Sequence, residues 1–314
     1  MSSTVLDMLS AISGVLPAID DGSLRLSYAD VQRSVAAERR WFQSMKVRRC
    51  ALFAENSARW ILSDLALLAS EAVNVSLPPW FSPERISQVL DEAGVDWVLT
   101  DSAERFTQDH PAFSYVASSH RTGLALLRRA ERSPPTGSLP AGLSKLIFSS
   151  DGIGVRLRYS AIRSITDSLV AEISGLGIRT HLCLLPLATP LENIAGVYVS
   201  LTMGAKVVAR PRHPMGIGAD ELKLPLLLQA IDAASPDSMT LVPELLSALV
   251  DAATGGWQVP ASLKLITVSG TVSSTLLEEA RRAGLPHPKA EMRPGNLGVF
   301  DADGFVFLRS PSRG

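Results

Sequence analysis

The stretch "ALFAENSARWILSDLALLASEAVNVSLPPWFSPERISQVLDEAGVDWVLTD", residues 51–101, decides the architecture. Three short apolar runs, "RCALFA", "AVNVSLP" and "VDWVLTD", alternate with two segments of helical period. The first helix, "SARWILSDLALLAS", is entered through Asn56 or Ser57. The second, "SPERISQVLDEAG", takes Ser82 as its N-cap and Pro83 in its first turn, and it stops at Gly94. Strands and helices alternating across short connections predict an α/β fold with a mostly parallel, helix-covered sheet.

Working outward, "LSYADVQRSV" begins an amphipathic helix over 28–45 with Ser27 as its cap. The Pro/Gly/Ser-rich run "ERSPPTGSLPAG" reads as a linker. It divides the chain into a first α/β subdomain (1–130), the linker (131–142), a second α/β subdomain (143–286) and a tail (287–314). In the second subdomain "KLIFSS", "THLCLLPLA", "AKVVAR", "SMTLVP" and "LKLITVSG" are strands interleaved with helical segments. In the tail, Asp303-Gly304 between apolar runs predicts a hairpin.

Composition narrows the partners. Of 314 residues 46% are hydrophobic and 19% charged, enough apolar material for a large core. Thirty Lys and Arg against 31 Asp and Glu leave a net charge of −1, which gives no electrostatic case for nucleic acid. No apolar run reaches the ~18 residues of a membrane span, and the first residues lack a secretory layout, so the expected compartment is the cytoplasm. Cys50 and Cys183 lie in apolar runs with no second cysteine at ligand spacing, and His181 beside Cys183 has no evident partners. Buried thiols, and no metal site, are expected.

The stretch "KLIFSSDGIGVRL", residues 145–157, has the layout of a phosphate-binding turn: an apolar strand, Ser149 and Ser150, then Gly152, Gly154 and Arg156. The same residues also suit an ordinary Ser-Asp-Gly turn. Asp151 at its centre would repel a triphosphate.

Taken in order, these segments resemble the adenylate-forming family, the acyl-CoA synthetases and related AMP-producing ligases. "LSYADVQRSV" is similar to the family's opening "LTYAEL" segment, and residues 51–101 to its first sheet. "LCLLPLATPLENIAGVYVSLTMGAKVV", "MTLVPELLSALV", "LKLITVSGTVSSTLLEEARRAGLP" and "GNLGVFDADGFVFL" match later family segments in order. The resemblance implies two helix-covered, mostly parallel sheets. It also implies a reaction joining a carboxylic acid to AMP from ATP with Mg²⁺, before the acyl group passes to a thiol.

The departures from the pattern concern ATP. The family loop reads "SSGTTG.PKG"; "FSSDGIGVRL" keeps Ser149, Ser150, Gly152 and Gly154 but lacks both threonines and the lysine, with Arg156 the nearest replacement charge. Thr189 stands where many relatives carry a histidine or an aromatic, and Glu192 and Asn193 after it are read as helix-capping residues. The "YEGYGLTE" segment has no counterpart, and Glu291 lacks its flanking residues. Asn296 replaces the aspartate that grips the ribose. Family members continue into a small C-terminal domain with a catalytic lysine; here "RSPSRG" follows, so that domain is expected to be lacking.

The expected vestigial nucleotide site is therefore Ser149, Ser150, Gly152, Gly154, Arg156 and Asn296, with no catalytic residue assigned. Thr189, Asn193, Gly196, Ser269 and Gly270 are the acyl-pocket candidates. The expected function is an acyl-CoA synthetase-like protein with impaired or absent adenylation, binding an acyl or aryl carboxylate, a protein partner or a second copy of itself. The alternative is an active AMP-forming acid–thiol ligase using ATP and Mg²⁺ on a shortened loop.

Overall fold

A computed structural model of the protein describes residues 9–131, 141–149, 152–218, 221–270 and 272–286, and the backbone of 289–290, 299–300 and 306–307. The hairpin of β1 (Pro17–Asp20) and β2 (Arg25–Ser27) leads into α1 (Tyr28–Ser44). Ser27 caps α1 in a reciprocal box with Asp30, which satisfies donors that the first helical turn leaves unpaired. The alternation then runs β3 (Arg49–Phe53), α2 (Ala58–Ala69), β4 (Val73–Ser76), α3 (Pro83–Glu92) and β5 (Trp97–Thr100). Ser82 caps α3 with proline in its first turn, as the sequence requires. Helix α4 (Ala103–Asp109) and strands β6 (Phe113–Ser118), β7 (Ala125–Arg129), β8 (Lys145–Phe148) and β9 (Gly154–Leu157) follow.

These strands form a sheet in the order β6-β7-β5-β3-β4-β8-β9, parallel through β5, β3, β4 and β8. Beyond it lie α5 (Tyr159–Ile173), β10 (Thr180–Leu182), a π-helix (Leu191–Tyr198), α6 (Val199–Thr202), β11 (Lys206–Val208), α7 (Leu224–Ala234), β12 (Ser238–Leu241), α8 (Pro243–Thr254), β13 (Leu265–Val268), α9 (Ser274–Arg282) and β14 (Lys289–Ala290). The second sheet runs β14-β13-β12-β10-β11-β1-β2, with only β2 antiparallel among its described pairs.

The sheets do not divide where the linker does. Strands β8 and β9, beyond 131–142, complete the first sheet beside β4, and β1 and β2 complete the second beside β11. A Pro/Gly-rich run marks a surface connection, whereas sheet membership follows whichever edge offers unpaired backbone groups. Here the edge of β4 takes Lys145 opposite Asn74 and Leu146 opposite Val75. Strands β15 (Val299–Phe300) and β16 (Val306–Phe307) pair antiparallel; Asp303 and Gly304, on which the tail hairpin is expected, lie outside the described residues.

One core cluster joins the two sheets, holding Tyr28, Phe42, Trp60 and Leu67 together with Ile147, Leu187, Tyr198 and Val207. Every residue of α2 except Arg59 is buried, as befits a helix packed on all sides. Asn56 fastens the halves: its side-chain amide donates to Leu185 O at 2.8 Å and accepts from Leu187 N at 2.9 Å. The cap of α2 is Ser57, which accepts from Trp60 N. Among the described residues no helix is long and apolar enough to cross a membrane.

Candidate functional site

The turn between β8 and β9 is a closed hairpin. Phe148 pairs with Gly154, Ser149 N donates to Ile153 O at 3.0 Å, and Gly152 N donates to Ser149 O at 2.9 Å. The Ser149 hydroxyl also donates to Ile153 O, at 3.1 Å. Gly152 takes φ +80°, a left-handed conformation that glycine adopts without steric cost. Gly154 serves packing: a Cβ there would lie 3.3 Å from Leu146 Cδ1 and 3.4 Å from Phe148 Cε1. Arg156 is exposed between buried Val155 and Leu157. Ser150, Asp151, Glu291 and Asn296 lie outside the described residues.

A phosphate cradle needs successive backbone N–H groups aimed at one external point. The amides of Ser149 and Gly152 are instead turned onto backbone carbonyls of their own hairpin. The described part of the turn therefore does not fit a triphosphate.

The acyl-pocket candidates fall into two groups: Thr189 just before the π-helix with Asn193 and Gly196 within it, and Ser269 and Gly270 just after β13. The Thr189 hydroxyl donates to Pro186 O at 2.7 Å, and its carbonyl accepts from Asn193 N at 2.9 Å. Ser269 N donates to Leu241 O at 2.8 Å, at the end of β13. Gly270 is exposed with φ +105°, beside Pro243.

The π-helix aims its consecutive residues Glu192 and Asn193, both fully buried, into two polar clusters. Neither side chain caps the helix, which corrects the capping role expected for them. Their burial draws them to buried partners, because an unpaired polar group away from water is costly.

In the first cluster, Asn193 donates to Asp64 Oδ2 at 3.0 Å and accepts from Lys145 Nζ at 2.6 Å. Lys145 also donates to Asp64 Oδ1 at 2.5 Å and to the Tyr198 hydroxyl at 2.8 Å. Tyr198 donates in turn to Asp64 Oδ2 at 2.6 Å, and the Asn74 side-chain amide donates to Asp64 Oδ1. Lys145 Nζ lies 5.1 Å from the Tyr198 ring centroid and 5.7 Å from that of Trp60. Burial lowers the Lys145 pKa, with the Asp64 carboxylate opposing the shift. The Tyr198 phenol is raised well above its usual range, by burial first and Asp64 next. Three acceptors meet the three ammonium donors, so this cluster pins α2, β4, β8 and the π-helix together.

In the second cluster, Glu192 Oε1 lies 2.9 Å from His181 Nε2, and Glu192 Oε2 accepts from Leu185 N at 2.8 Å. His181 Nδ1 lies 2.9 Å from the Ser238 hydroxyl. Burial pushes the Cys183 thiol well up, and the neighbouring Glu192 carboxylate adds to the shift. His181 therefore has partners after all. They are 11 and 57 residues away in sequence, beyond the reach of local spacing. Gly196, one helical turn on, leaves room for the pair: a Cβ there would sit 2.3 Å from Glu192 Oε1 and 2.7 Å from His181 Nε2.

Similarity to known proteins fixes the fold. Residues 13–138 match the family described as AMP-binding enzyme. O-succinylbenzoate coenzyme A synthetase (MenE) from Bacillus subtilis, in complex with AMP, superposes with a TM-score of 0.65 at 19% identity, covering 90% of this chain and 71% of that one. The chain has the adenylate-forming fold. VinN in complex with L-aspartate gives a TM-score of 0.71 at 15% identity over 91% of this chain and 74% of that one. In sequence, N-(5-amino-5-carboxypentanoyl)-L-cysteinyl-D-valine synthase of Penicillium rubens is 26% identical over 247 residues, 72% of this chain but 7% of the relative. The chain thus spans a small part of that synthase. The resemblance to the adenylate-forming family read from the ordered segments is confirmed.

Within that fold, sequence reasoning missed the Lys145–Asp64–Tyr198 cluster. A signal was present, since Asp64 is the one charged residue in the largely apolar run "WILSDLALLA" and Lys145 opens the strand "KLIF".

Proposed function

We propose that this protein is an acyl-CoA synthetase-like member of the adenylate-forming fold that binds an acyl or aryl carboxylate, with adenylation impaired or lost. The observation carrying this reading is the hairpin at 149–153, whose Ser149 and Gly152 amides are bonded to backbone carbonyls where a triphosphate would need them. The altered residues at Thr189 and Asn296 point the same way. The surrounding scaffold supports retained binding, because the core is packed and all three ammonium donors of Lys145 in its buried polar pin are met. Two buried free thiols suit a reducing, cytoplasmic setting.

The test is calorimetric titration with Mg²⁺-ATP beside a pyrophosphate-exchange assay across a panel of fatty and aryl acids. Saturable binding of an acid without ATP binding or exchange is the expected result. Measurable exchange would overturn the proposal in favour of an active ligase with a shortened loop. Binding of neither ligand would overturn the carboxylate role and leave a protein-partner role.

A further inference from the structure

His181, Cys183 and Glu192 form a second cluster whose chemistry the adenylation reading does not use. The ligand-type atoms of all three lie within 4.8 Å of one another, and all three residues are buried. We propose that they form a binding site for one divalent transition-metal ion of the zinc type. This inference is independent of whether the protein binds ATP or a carboxylate.

The geometry begins in the backbone. His181 lies in β10, and Cys183 follows it by two residues, so the two side chains leave the same face of an extended segment. Glu192 reaches them from the π-helix, a backbone form frequent at functional sites. A zinc ion bonded to sulfur at about 2.3 Å and to nitrogen and oxygen at about 2.0–2.2 Å would require small movements of these atoms, including a slight opening of the 2.9 Å Glu192–His181 contact. Gly196 provides the space for them, since its missing Cβ would otherwise stand between Glu192 Oε1 and His181 Nε2.

Donor chemistry selects the ion. A thiolate, an imidazole and a carboxylate suit zinc and its neighbours, whereas magnesium and calcium prefer oxygen alone. One thiolate and one carboxylate cancel the charge of a dication, so the loaded cluster would place no net charge in the core. Supporting bonds are already in place: Ser238 holds His181 Nδ1 at 2.9 Å, and Leu185 N holds Glu192 Oε2 at 2.8 Å. Such outer contacts orient metal ligands.

On binding, the Cys183 S–H bond breaks and its proton passes to solvent. The imidazole proton that Nε2 holds against Glu192 Oε1 in the metal-free cluster moves to Nδ1, where the Ser238 oxygen accepts it, leaving the Nε2 lone pair and Glu192 Oε1 free to bond the metal. Metal–sulfur, metal–nitrogen and metal–oxygen bonds form without a change of oxidation state.

The test is cobalt(II) titration of the chelator-treated full chain, followed by absorbance, with circular dichroism reporting the fold. One equivalent should raise a thiolate-to-cobalt charge-transfer band that zinc then abolishes. Cys183→Ser should remove the band and weaken cobalt binding more than about 100-fold, beyond the ~10–100-fold loss typical of an outer-shell residue. Cys50→Ser, a change at the other buried thiol, should leave the band intact. If Cys183→Ser does not fold, zinc-dependent thermal stabilisation of the wild-type chain, absent with magnesium, replaces it as the supporting readout. A wild-type chain with neither the band nor zinc-dependent stabilisation overturns the proposal, as does a band that survives in folded Cys183→Ser.

Discussion

Lys145 Nζ lies 2.6 Å from Asn193 Oδ1, and both residues are fully buried. A strand of the first sheet is thereby bonded to the helix that follows β10 of the second. Asp64 sits between them and accepts from both.

Removing the ammonium should cost more than removing any neutral member of this cluster. Lys145→Met leaves the Asp64 carboxylate buried without its counter-charge, a situation that typically costs about 3–5 kcal/mol. Tyr198→Phe removes one neutral donor and should cost about 1–3 kcal/mol. Equilibrium urea unfolding of both variants gives the comparison. A Lys145→Met loss no larger than that of Tyr198→Phe would contradict the assignment of this cluster as a charge-bearing pin.

Asn56 and Ser57 were indistinguishable as helix caps from sequence, but they now predict different losses. Ser57→Ala removes a cap bond and should cost about 1 kcal/mol. Asn56→Ala strands a buried carbonyl at Leu185 and a buried amide at Leu187, each worth about 1–3 kcal/mol. The shift of the unfolding midpoint should therefore be larger for Asn56→Ala.

The same contrast explains what the sequence could and could not reveal. Strands and helices between residues 51 and 101 were legible because their period and caps are local, and Ser27, Ser57 and Ser82 all cap as their types require. The exchange of β1–β2 and β8–β9 between sheets was not legible, because edge pairing is set in space and leaves no local spacing. At the candidate nucleotide turn, residue types were right for either role. The hydrogen bonds of Ser149 and Gly152 were needed to separate a cradle from a hairpin. Glu192 and Asn193 looked like caps because they stand at a helix start, yet the wide turns of the π-helix point both inward.

Gly196 and Gly175 should respond oppositely to the same change. Alanine normally favours a helix over glycine by about 1 kcal/mol. At Gly196 the new Cβ would fall 2.3 Å from Glu192 Oε1 and 2.7 Å from His181 Nε2, so overpacking should win and destabilise by about 1–3 kcal/mol. At Gly175, in the 3-10 turn Ser174–Leu176 that follows α5, a Cβ meets nothing within 4 Å, and alanine should be neutral or stabilise by up to about 1 kcal/mol. Thermal unfolding of the two variants side by side tests the difference.

Acid should act through Asp237, which accepts from Arg179 N at 3.0 Å, from Thr180 N at 2.9 Å and from Lys264 Nζ at 2.8 Å. Burial alone would raise its pKa, but the Lys264 bond and the two amides outweigh burial and hold it below 3.8. Between the folded value and 3.8 the unfolded chain binds more protons, so stability increases with pH across that window. The contribution is fully present above 3.8 and is lost as pH falls through the folded value. Asp237→Asn cannot accept a charge-assisted bond from Lys264 at any pH. The variant should melt below the wild type at neutral pH, and the gap should narrow as pH drops under 3.8. Melting temperatures measured against pH for both chains decide it: a gap that stays constant into strong acid would exclude Asp237 as the titrating group.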